Sequence, residues 1–516
     1  MKNPILNRFS YWHLVILFSL LKLLIHLLTN THYELHRDAY LYYAQSEHLA
    51  WGFHSVPPFV SLIGKLSTVL FGNTTFGLRF FPAVVGALNL FVIGAFIKEL
   101  GGNKRAFFLA ALAFVFSPMY LHVNTLFQPV AFNQFFWLLI SYLMFRLIKN
   151  SNTKQWLWLG LIVGVAFLNK YSVIFIVAAF FISLCISKHR QLIISKHFFI
   201  GLGLGLLIIS PNIIWQYRNG FPVVLHMKEL KETQLVHVNH MQFLIDQFLT
   251  HIQALPLILV AFWGIFSKKE GRTYKVFIYT FLLVIGLILL GSGKSYYTMG
   301  VYPMLYVFGA VYLARYVSKK YLNPVSILIL VHTLVTLLVS FRFDGIPLRT
   351  PEQTYKEGAF TWEDGKKYPL PQDMADMTGW NELAVAVIDV YNEVKETEGI
   401  ECAIFCHHYG QAGSIMFYGK DYGLPQPTCF NGSFTFWSPE TIVEEYLIVV
   451  IHERDSYDEP EFDMTRFFES WELKYEVDNE FFRENGTRIY LAKNPNKEFA
   501  NYYTTLRAET LKKYQR

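Results

Sequence analysis

The chain has 516 residues, 53% of them hydrophobic and 17% aromatic, and a mean hydropathy of +0.29. A soluble domain is about 45–50% apolar even with Gly counted, and the excess here is gathered into long blocks, which excludes an ordinary water-soluble protein. The net charge of +6 is not carried on an arginine-rich patch interleaved with aromatics, so no nucleic-acid partner is expected.

A bilayer core of about 30 Å needs roughly 20 residues of helix, and unpaired backbone groups are too costly in lipid for open strands. By that rule about eleven transmembrane helices are predicted, near residues 10–29, 79–98, 106–123, 127–148, 155–169, 171–187, 198–216, 246–266, 275–291, 298–316 and 324–341. The first follows Lys2 and Arg8, as a secretion signal would. However, Lys22 and His26 interrupt it and no small-residue cleavage site follows, so it reads as a retained helix.

Basic residues then orient the chain. Lys98, Lys104 and Arg105 fall in one loop, Arg146, Lys149 and Lys154 two loops later, then Lys188, Arg190 and Lys196. Lys268, Lys269, Arg272 and Lys275 follow, and finally Arg315, Lys319 and Lys320. With the N-terminus cytoplasmic, every inside loop is basic. The odd number of spans places the tail on the extracytoplasmic side of the cell membrane.

Two outer segments are longer than connections need. The first, Asn30 to Leu78, holds His36-Arg37-Asp38-Ala39-Tyr40 and Trp51-Gly52-Phe53-His54-Ser55-Val56-Pro57-Pro58. Long loops of this kind are more often functional than idle. Its Tyr40–Leu49 and Phe59–Leu70 stretches are predicted as amphipathic helices lying along the membrane surface. The second, from Tyr217 to Phe243, carries Arg218, His226, His237 and His240; the histidine spacing matches no defined zinc pattern, and no metal site is expected there.

From Asp344 onward charged and turn-forming residues become frequent. Ala403–Cys406, Leu447–Ile451 and Thr487–Leu491 read as buried strands and Trp380–Lys395 as an amphipathic helix, which implies a small α/β domain. The predicted organisation is a transmembrane domain over 1–343, including the outer loop 30–78, and an extracytoplasmic α/β domain over 344–516. Cys185, Cys402, Cys406 and Cys429 make no metal pattern; a bridge from Cys402 or Cys406 to Cys429 and free thiols are both open.

Asp38 is the most informative residue. It lies just outside the first span, beside Arg37 and among Tyr33, Tyr40, Tyr42 and Tyr43. A carboxylate there can serve as general base toward an acceptor hydroxyl, or pair with Arg37 and cap the next helix. Lys294, in Gly291-Ser292-Gly293-Lys294-Ser295-Tyr296-Tyr297, sits in a short outer loop against the positive-inside trend. It can hold a phosphate as a point charge or snorkel at the interface. Lys170 and Arg218 have the same two readings. His407 and His408 precede Tyr409-Gly410-Gln411-Ala412-Gly413, which reads as a structural turn into a helix rather than a phosphate loop.

Arg37-Asp38-Ala39-Tyr40 through Pro57-Pro58, Leu78-Arg79-Phe80-Phe81-Pro82-Ala83 and Lys98-Glu99-Leu100-Gly101-Gly102 together resemble one family. It is the dolichyl-phosphate-mannose protein mannosyltransferase-like glycosyltransferases (glycosyltransferase family 39, membrane-embedded C-type fold). The similarity continues through Leu168-Asn169-Lys170-Tyr171-Ser172, Ser210-Pro211-Asn212 with Trp215-Gln216, and Gly293-Lys294-Ser295-Tyr296-Tyr297 with Tyr302-Pro303. In the tail, Met377-Thr378-Gly379-Trp380, Tyr409-Gly410-Gln411-Ala412-Gly413 and Tyr422-Gly423-Leu424-Pro425 resemble a bacterial branch with an α/β tail.

The resemblance implies an inverting transferase at the outer face of the membrane. Its partners would be a polyprenyl-phosphate sugar donor, a lipid, glycan or protein acceptor, and membrane lipids. By matching motif, Asp38 is the implied base and Lys294 the implied phosphate ligand, with Arg37, Lys170 and Arg218 as further phosphate contacts. Tyr40, Tyr43, Tyr296 and Tyr297 would line the donor and acceptor pocket. No cofactor is required and a divalent metal is not indicated. Two departures stand out: Ala39 follows Asp38 where the family usually has Glu, and Ser55-Val56 precede Pro57-Pro58 where many relatives carry an acid. A second acidic contact must then be absent or come from Glu34 or Glu47. The competing classes are a transporter, which would place charges near the bilayer midplane or show internal repeats, and a non-catalytic envelope assembly or scaffold protein.

Overall fold

The structure, a computed structural model, describes residues 10–29, 33–317, 319–341, 346–356, 358–362, 365–452 and 464–514. Each of the predicted spans coincides with helix. Among the described residues, six helices are long and apolar enough to cross a membrane: Tyr11–Thr29, Thr75–Glu99, Pro129–Asn150, Lys196–Arg218, Gly271–Leu290 and Ser295–Tyr316. A seventh arises if His240–Leu249 and Ile252–Ser267, bent by 55°, form one span. Gln155–Asn169, Val173–Cys185 and Pro324–Leu338 are shorter apolar helices. The chain is therefore a multi-pass membrane protein.

Proline explains an interruption that apolar content alone does not reveal. The span expected over 106–123 is two helices, Lys104–Val115 and Pro118–Val123, with Pro118 opening the second. Proline lacks the N–H that would continue the preceding turn and suits the first helical position.

Contacts divide the chain into two units. One comprises Met1–Asn30, Arg79–Ile214 and Lys228–Ile346; the other Thr31–Leu78, Trp215–Met227 and Pro347–Arg516. By contacts, then, the first outer loop groups with the tail. Within the helical unit, glycines bring backbones together: a Cβ on Gly160 would lie 2.0 Å from the Gly201 carbonyl oxygen, and one on Gly309 1.9 Å from that of Leu257. Small residues serve this purpose where lipid removes the hydrophobic drive for helix association.

In the second unit the tail folds as an α/β layer. Phe360–Thr361 (β1) and Lys367–Tyr368 (β2) form a short antiparallel pair. Cys402–Cys406 (β3), Tyr446–Ile451 (β4), Phe468–Glu476 (β5) and Arg488–Pro495 (β6) form a sheet of order β3-β4-β6-β5. The β3–β4 pair is parallel and the others antiparallel. β4 is buried along Tyr446–Val450, as its unbroken Leu447–Val450 apolar run requires of a strand covered on both faces. Phe405, Leu447, Val449, Phe468, Phe499 and Tyr503 are among the core residues on which the helix Lys497–Tyr514 packs. No disulfide joins the four cysteines, which settles the open pairing in favour of thiols.

The two predicted interfacial helices have different fates. Phe59–Phe71 exposes Leu62, Leu66, Val69 and Leu70 and buries Val60, Ser61, Gly64 and Ser67, as an interfacial helix would. Arg37–Glu47 does not lie on a surface, because all of Ala39–Ser46 is buried. The reason is the helix Tyr409–Tyr418, which packs against it. A Cβ on Gly410 would stand 2.8 Å from Arg37 Cγ, and one on Gly413 2.9 Å from the Tyr40 carbonyl group. The Tyr-Gly-Gln-Ala-Gly motif is thus a close-packing face. Gly413→Ala, which forces a methyl group against backbone, should lower the thermal unfolding midpoint of the detergent-purified protein by the equivalent of about 1–3 kcal/mol. Gly203→Ala, where no atom lies within 4 Å, should leave it unchanged.

Candidate active site

Asp38 enters the first turn of the helix Arg37–Glu47, whose N-cap is His36. The Asp38 amide donates to His36 Nδ1 at 3.1 Å, and the Ala39 amide to the His36 carbonyl at 2.7 Å. The Asp38 side chain is about one-third exposed. Its Oδ1 accepts the Tyr409 hydroxyl at 2.6 Å and lies 4.0 Å from Arg37 Nε. Oδ2 stands 4.0 Å from His36 Nδ1 and has no hydrogen-bond donor among the described residues. Burial pushes the carboxyl up, but His36, Arg37, the Tyr409 hydroxyl and Arg483 together outweigh it and hold the group below the ordinary carboxylate range. Asp38 is therefore an anion at neutral pH with one fixed oxygen and one open one.

Arg37 is anchored inward. Its amide donates to the Asp376 carbonyl at 2.9 Å, its Nε stands 3.8 Å from Asp376 Oδ1, and its guanidinium lies 5.6 Å from the Tyr409 ring centroid. Asp376 is buried and also receives Arg483 Nη1 at 2.7 Å. Burial disfavours the Arg37 charge, yet Tyr409, Asp376, Asp38 and Glu484 keep it protonated. His36, Asp373 and Asp376 each offer one ligand atom within 4.8 Å of the others. The short Arg483 contact already compensates Asp376, so this trio is a poor cation cage.

The carboxylates considered as the second acid are both committed. Glu47 lies between Lys65 Nζ at 2.9 Å and Lys420 Nζ at 3.0 Å, and these lysines outweigh its burial and lower its pKa. Glu34 accepts the Asn381 amide at 3.0 Å at the start of the helix Trp380–Glu398. Burial raises its pKa to about 7 despite the amides of Asn381, Trp380 and Gly379. A carboxyl with a raised folded-state pKa binds more protons folded than unfolded. Stability therefore falls as pH rises from the ordinary Glu value toward 7. Glu34→Gln, which keeps an acceptor for the Asn381 amide, should abolish that loss: its melting-point advantage over the parent should grow between pH 4.5 and 7 and then level off.

Tyr40 and Tyr43 are fully buried and spend their rings on packing. Tyr40 lies 5.8 Å from Trp380 and from Phe417, with its hydroxyl 3.1 Å from that of Tyr418. Tyr43 lies edge-on to Phe417 at 5.0 Å and accepts Asn73 Nδ2 at 3.0 Å. Arg218 is exposed in the last turn of Lys196–Arg218. His226 stands edge-on to His54, ring centroids 5.2 Å apart, and burial drives the His54 pKa down to about 3, helped by His226. His240 Nε2 lies 3.4 Å from Ser292 Oγ, and the His237 side chain lies outside the described residues.

The helical unit assembles the other cations. Lys294 precedes the 3₁₀ helix Ser295–Val301 in a turn with Ser292 at φ 52°. Tyr296 and Tyr297 pack edge to face at 4.7 Å, and Lys170 Nζ lies 5.0 Å from the Tyr297 centroid and 5.8 Å from that of Tyr296. Lys170, Tyr296 and Tyr297 thus form one cluster beside Lys294 in sequence. Gln247, which no motif singles out, ties this turn down: its Oε1 accepts Thr298 Oγ1 at 2.6 Å and the Tyr302 hydroxyl at 2.9 Å, and its Nε2 donates to the Ser295 carbonyl at 3.3 Å. Lys22, fully buried in its helix, donates to the Tyr120 carbonyl at 2.9 Å.

Residues 55–215 match the family described as dolichyl-phosphate-mannose-protein mannosyltransferase. Over 241 residues the chain is 22% identical to the lipid A galacturonosyltransferase RgtD of Rhizobium johnstonii, covering 46% of this chain and 50% of that one. The chain thus spans about half the length of the curated relative it matches. The fold is similar to ArnT from Cupriavidus metallidurans in the apo state, with a TM-score of 0.60 at 12% identity over 93% of this chain and 98% of that one. The same protein bound to undecaprenyl phosphate gives 0.59 at 12% identity and the same coverage. Residues 55–215 are thus similar to the dolichyl-phosphate-mannose-protein mannosyltransferase family, and the fold over nearly the whole chain is similar to that of ArnT.

Proposed function

We propose that the chain is an inverting glycosyltransferase that moves a sugar from a polyprenyl-phosphate donor to a hydroxyl of a lipid acceptor. It works at the outer face of the cytoplasmic membrane, with the N-terminus inside and the tail outside, as the basic loops indicate. The observation that carries this reading is Asp38, an ionised carboxylate with Oδ1 held by Tyr409 and Oδ2 open. The open oxygen takes the proton of the acceptor hydroxyl while the acceptor oxygen bonds to the anomeric carbon. The bond from that carbon to the phosphate oxygen breaks, and its electron pair leaves on the phosphate. A fixed cation is then needed where negative charge develops. Lys294 fills this role, supported by Lys170 with Tyr296 and Tyr297; Arg218 is the further candidate. Arg37, turned toward Asp376, orients the base instead of reaching the donor.

The named relatives favour this donor and acceptor class, one being a lipid A glycosyltransferase and the other a protein that binds undecaprenyl phosphate. The test uses the purified full chain in vesicles made with lipid extract from cells lacking it. Wild type should convert one lipid into a species heavier by one sugar residue, and Asp38→Asn should do so at least about 10²-fold more slowly. Full activity of Asp38→Asn would remove the proposed base. Lys294→Ala should weaken undecaprenyl phosphate binding about tenfold or more, the worth of one charge-assisted contact. Unchanged affinity would exclude Lys294 as the phosphate ligand.

A further inference from the structure

We propose that Tyr409, from the C-terminal domain, is the positioning residue of Asp38: it fixes Oδ1 and so presents Oδ2 to the acceptor. The inference rests on Asp38 being the base and adds a working part to the tail. Three observations carry it. The Tyr409 hydroxyl donates to Asp38 Oδ1 at 2.6 Å, the length of a charge-assisted O–H to carboxylate bond. Tyr409 opens the helix Tyr409–Tyr418, whose start is fixed by a capping box in which His408 Nδ1 accepts the Gly410 amide and Gln411 Oε1 accepts the His408 amide. Gly410 and Gly413 let this helix sit directly against Arg37 and Tyr40, so the phenol reaches a helix that a bulkier pair would hold away.

The groups facing this pair come from several elements. On its own strand of chain Asp38 has His36 and Arg37; from the tail it has Tyr409 and Arg483; and its charge also acts on His226. Tyr409 is surrounded by Arg37, Asp38 and Asp376. Gln411 Nε2 donates to buried Glu484 at 3.0 Å, holding the helix start from beneath. Burial raises the Tyr409 pKa strongly, so the phenol keeps its own proton and acts as a donor only. In the reaction the acceptor proton goes to Oδ2, and the Tyr409 proton does not move.

The test needs no identified substrate for its first arm. Purified full chain in vesicles is treated with a water-soluble carbodiimide and glycine ethyl ester over a pH series, and labelling at Asp38 is read by peptide mass spectrometry. A hydrogen bond to the ionised form lowers a carboxyl pKa, so Tyr409→Phe should move the labelling midpoint to higher pH by about one unit. 3-Fluorotyrosine at 409, a stronger donor of the same shape, should move it lower and covers the case in which Tyr409→Phe does not fold. The second arm is the vesicle assay above. Tyr409→Phe should slow product formation about tenfold, shift its acidic limb in the same direction, and leave undecaprenyl phosphate affinity unchanged. Identical labelling midpoints in all three proteins would overturn the proposal even if Asp38→Asn is inactive. A fully active Asp38→Asn would instead bring down the assignment on which the proposal rests.

Discussion

Residues 36–38 are set by one buried carboxylate. Asp376 takes Arg483 at 2.7 Å, faces Arg37 Nε at 3.8 Å and His36 Nε2 at 3.7 Å, and its carbonyl accepts the Arg37 amide. A buried ion pair gains little over an apolar isostere, but removing one partner strands a charge and costs about 3–5 kcal/mol. Its value here is in specifying a register. The start of the Arg37–Glu47 helix is fixed against the tail, and with it the direction of Asp38. Tyr409 can meet Oδ1 only in that register.

The arrangement explains why a membrane protein of this kind carries a folded α/β tail. The outer loop contributes Asp38, but the loop alone cannot fix its position, since its Tyr-rich helix is buried from Ala39 to Ser46 and needs a partner. The tail supplies that partner. Gln45 donates to Ser433 and accepts Ser61, the buried Gln216 donates to the Phe53 carbonyl, and Trp215 meets Phe436 edge-on. The second outer segment is therefore drawn into the same unit. Anchoring a tail takes one span, whereas these loops are interleaved with the tail's own packing.

Much of this was legible in the sequence, and the misses have physical causes. Apolar runs located the helices, although among the described residues only six or seven of the eleven predicted spans are long enough by themselves to cross a membrane. They did not show the break before Pro118 or the 55° bend, which depend on local backbone bonding. Leu447–Val450 announced a buried strand by composition alone. β5 was not foreseen because Phe468–Glu476 is mostly exposed and mixes charge with Trp471, Leu473 and Tyr475. Asp38 stands out in the sequence by its place after the first span and by resemblance. Tyr409, Asp376, Arg483 and Gln247 were not assigned to a site: the first three are more than 300 residues away in sequence, and a glutamine in an apolar helix carries no motif. Gly410 and Gly413 did appear as a pattern, but only the contacts with Arg37 and Tyr40 give them a purpose.

Transfer of a sugar from a polyprenyl-phosphate carrier to an envelope lipid is the activity proposed for this chain. The most direct measurement is comparative mass spectrometry of total lipids from intact cells with and without the chain. Loss of the chain should accumulate one polyprenyl-phosphate sugar and lighten one envelope lipid by the mass of that same sugar residue. Identical lipid-linked sugars and envelope lipids in the two cell types would contradict it.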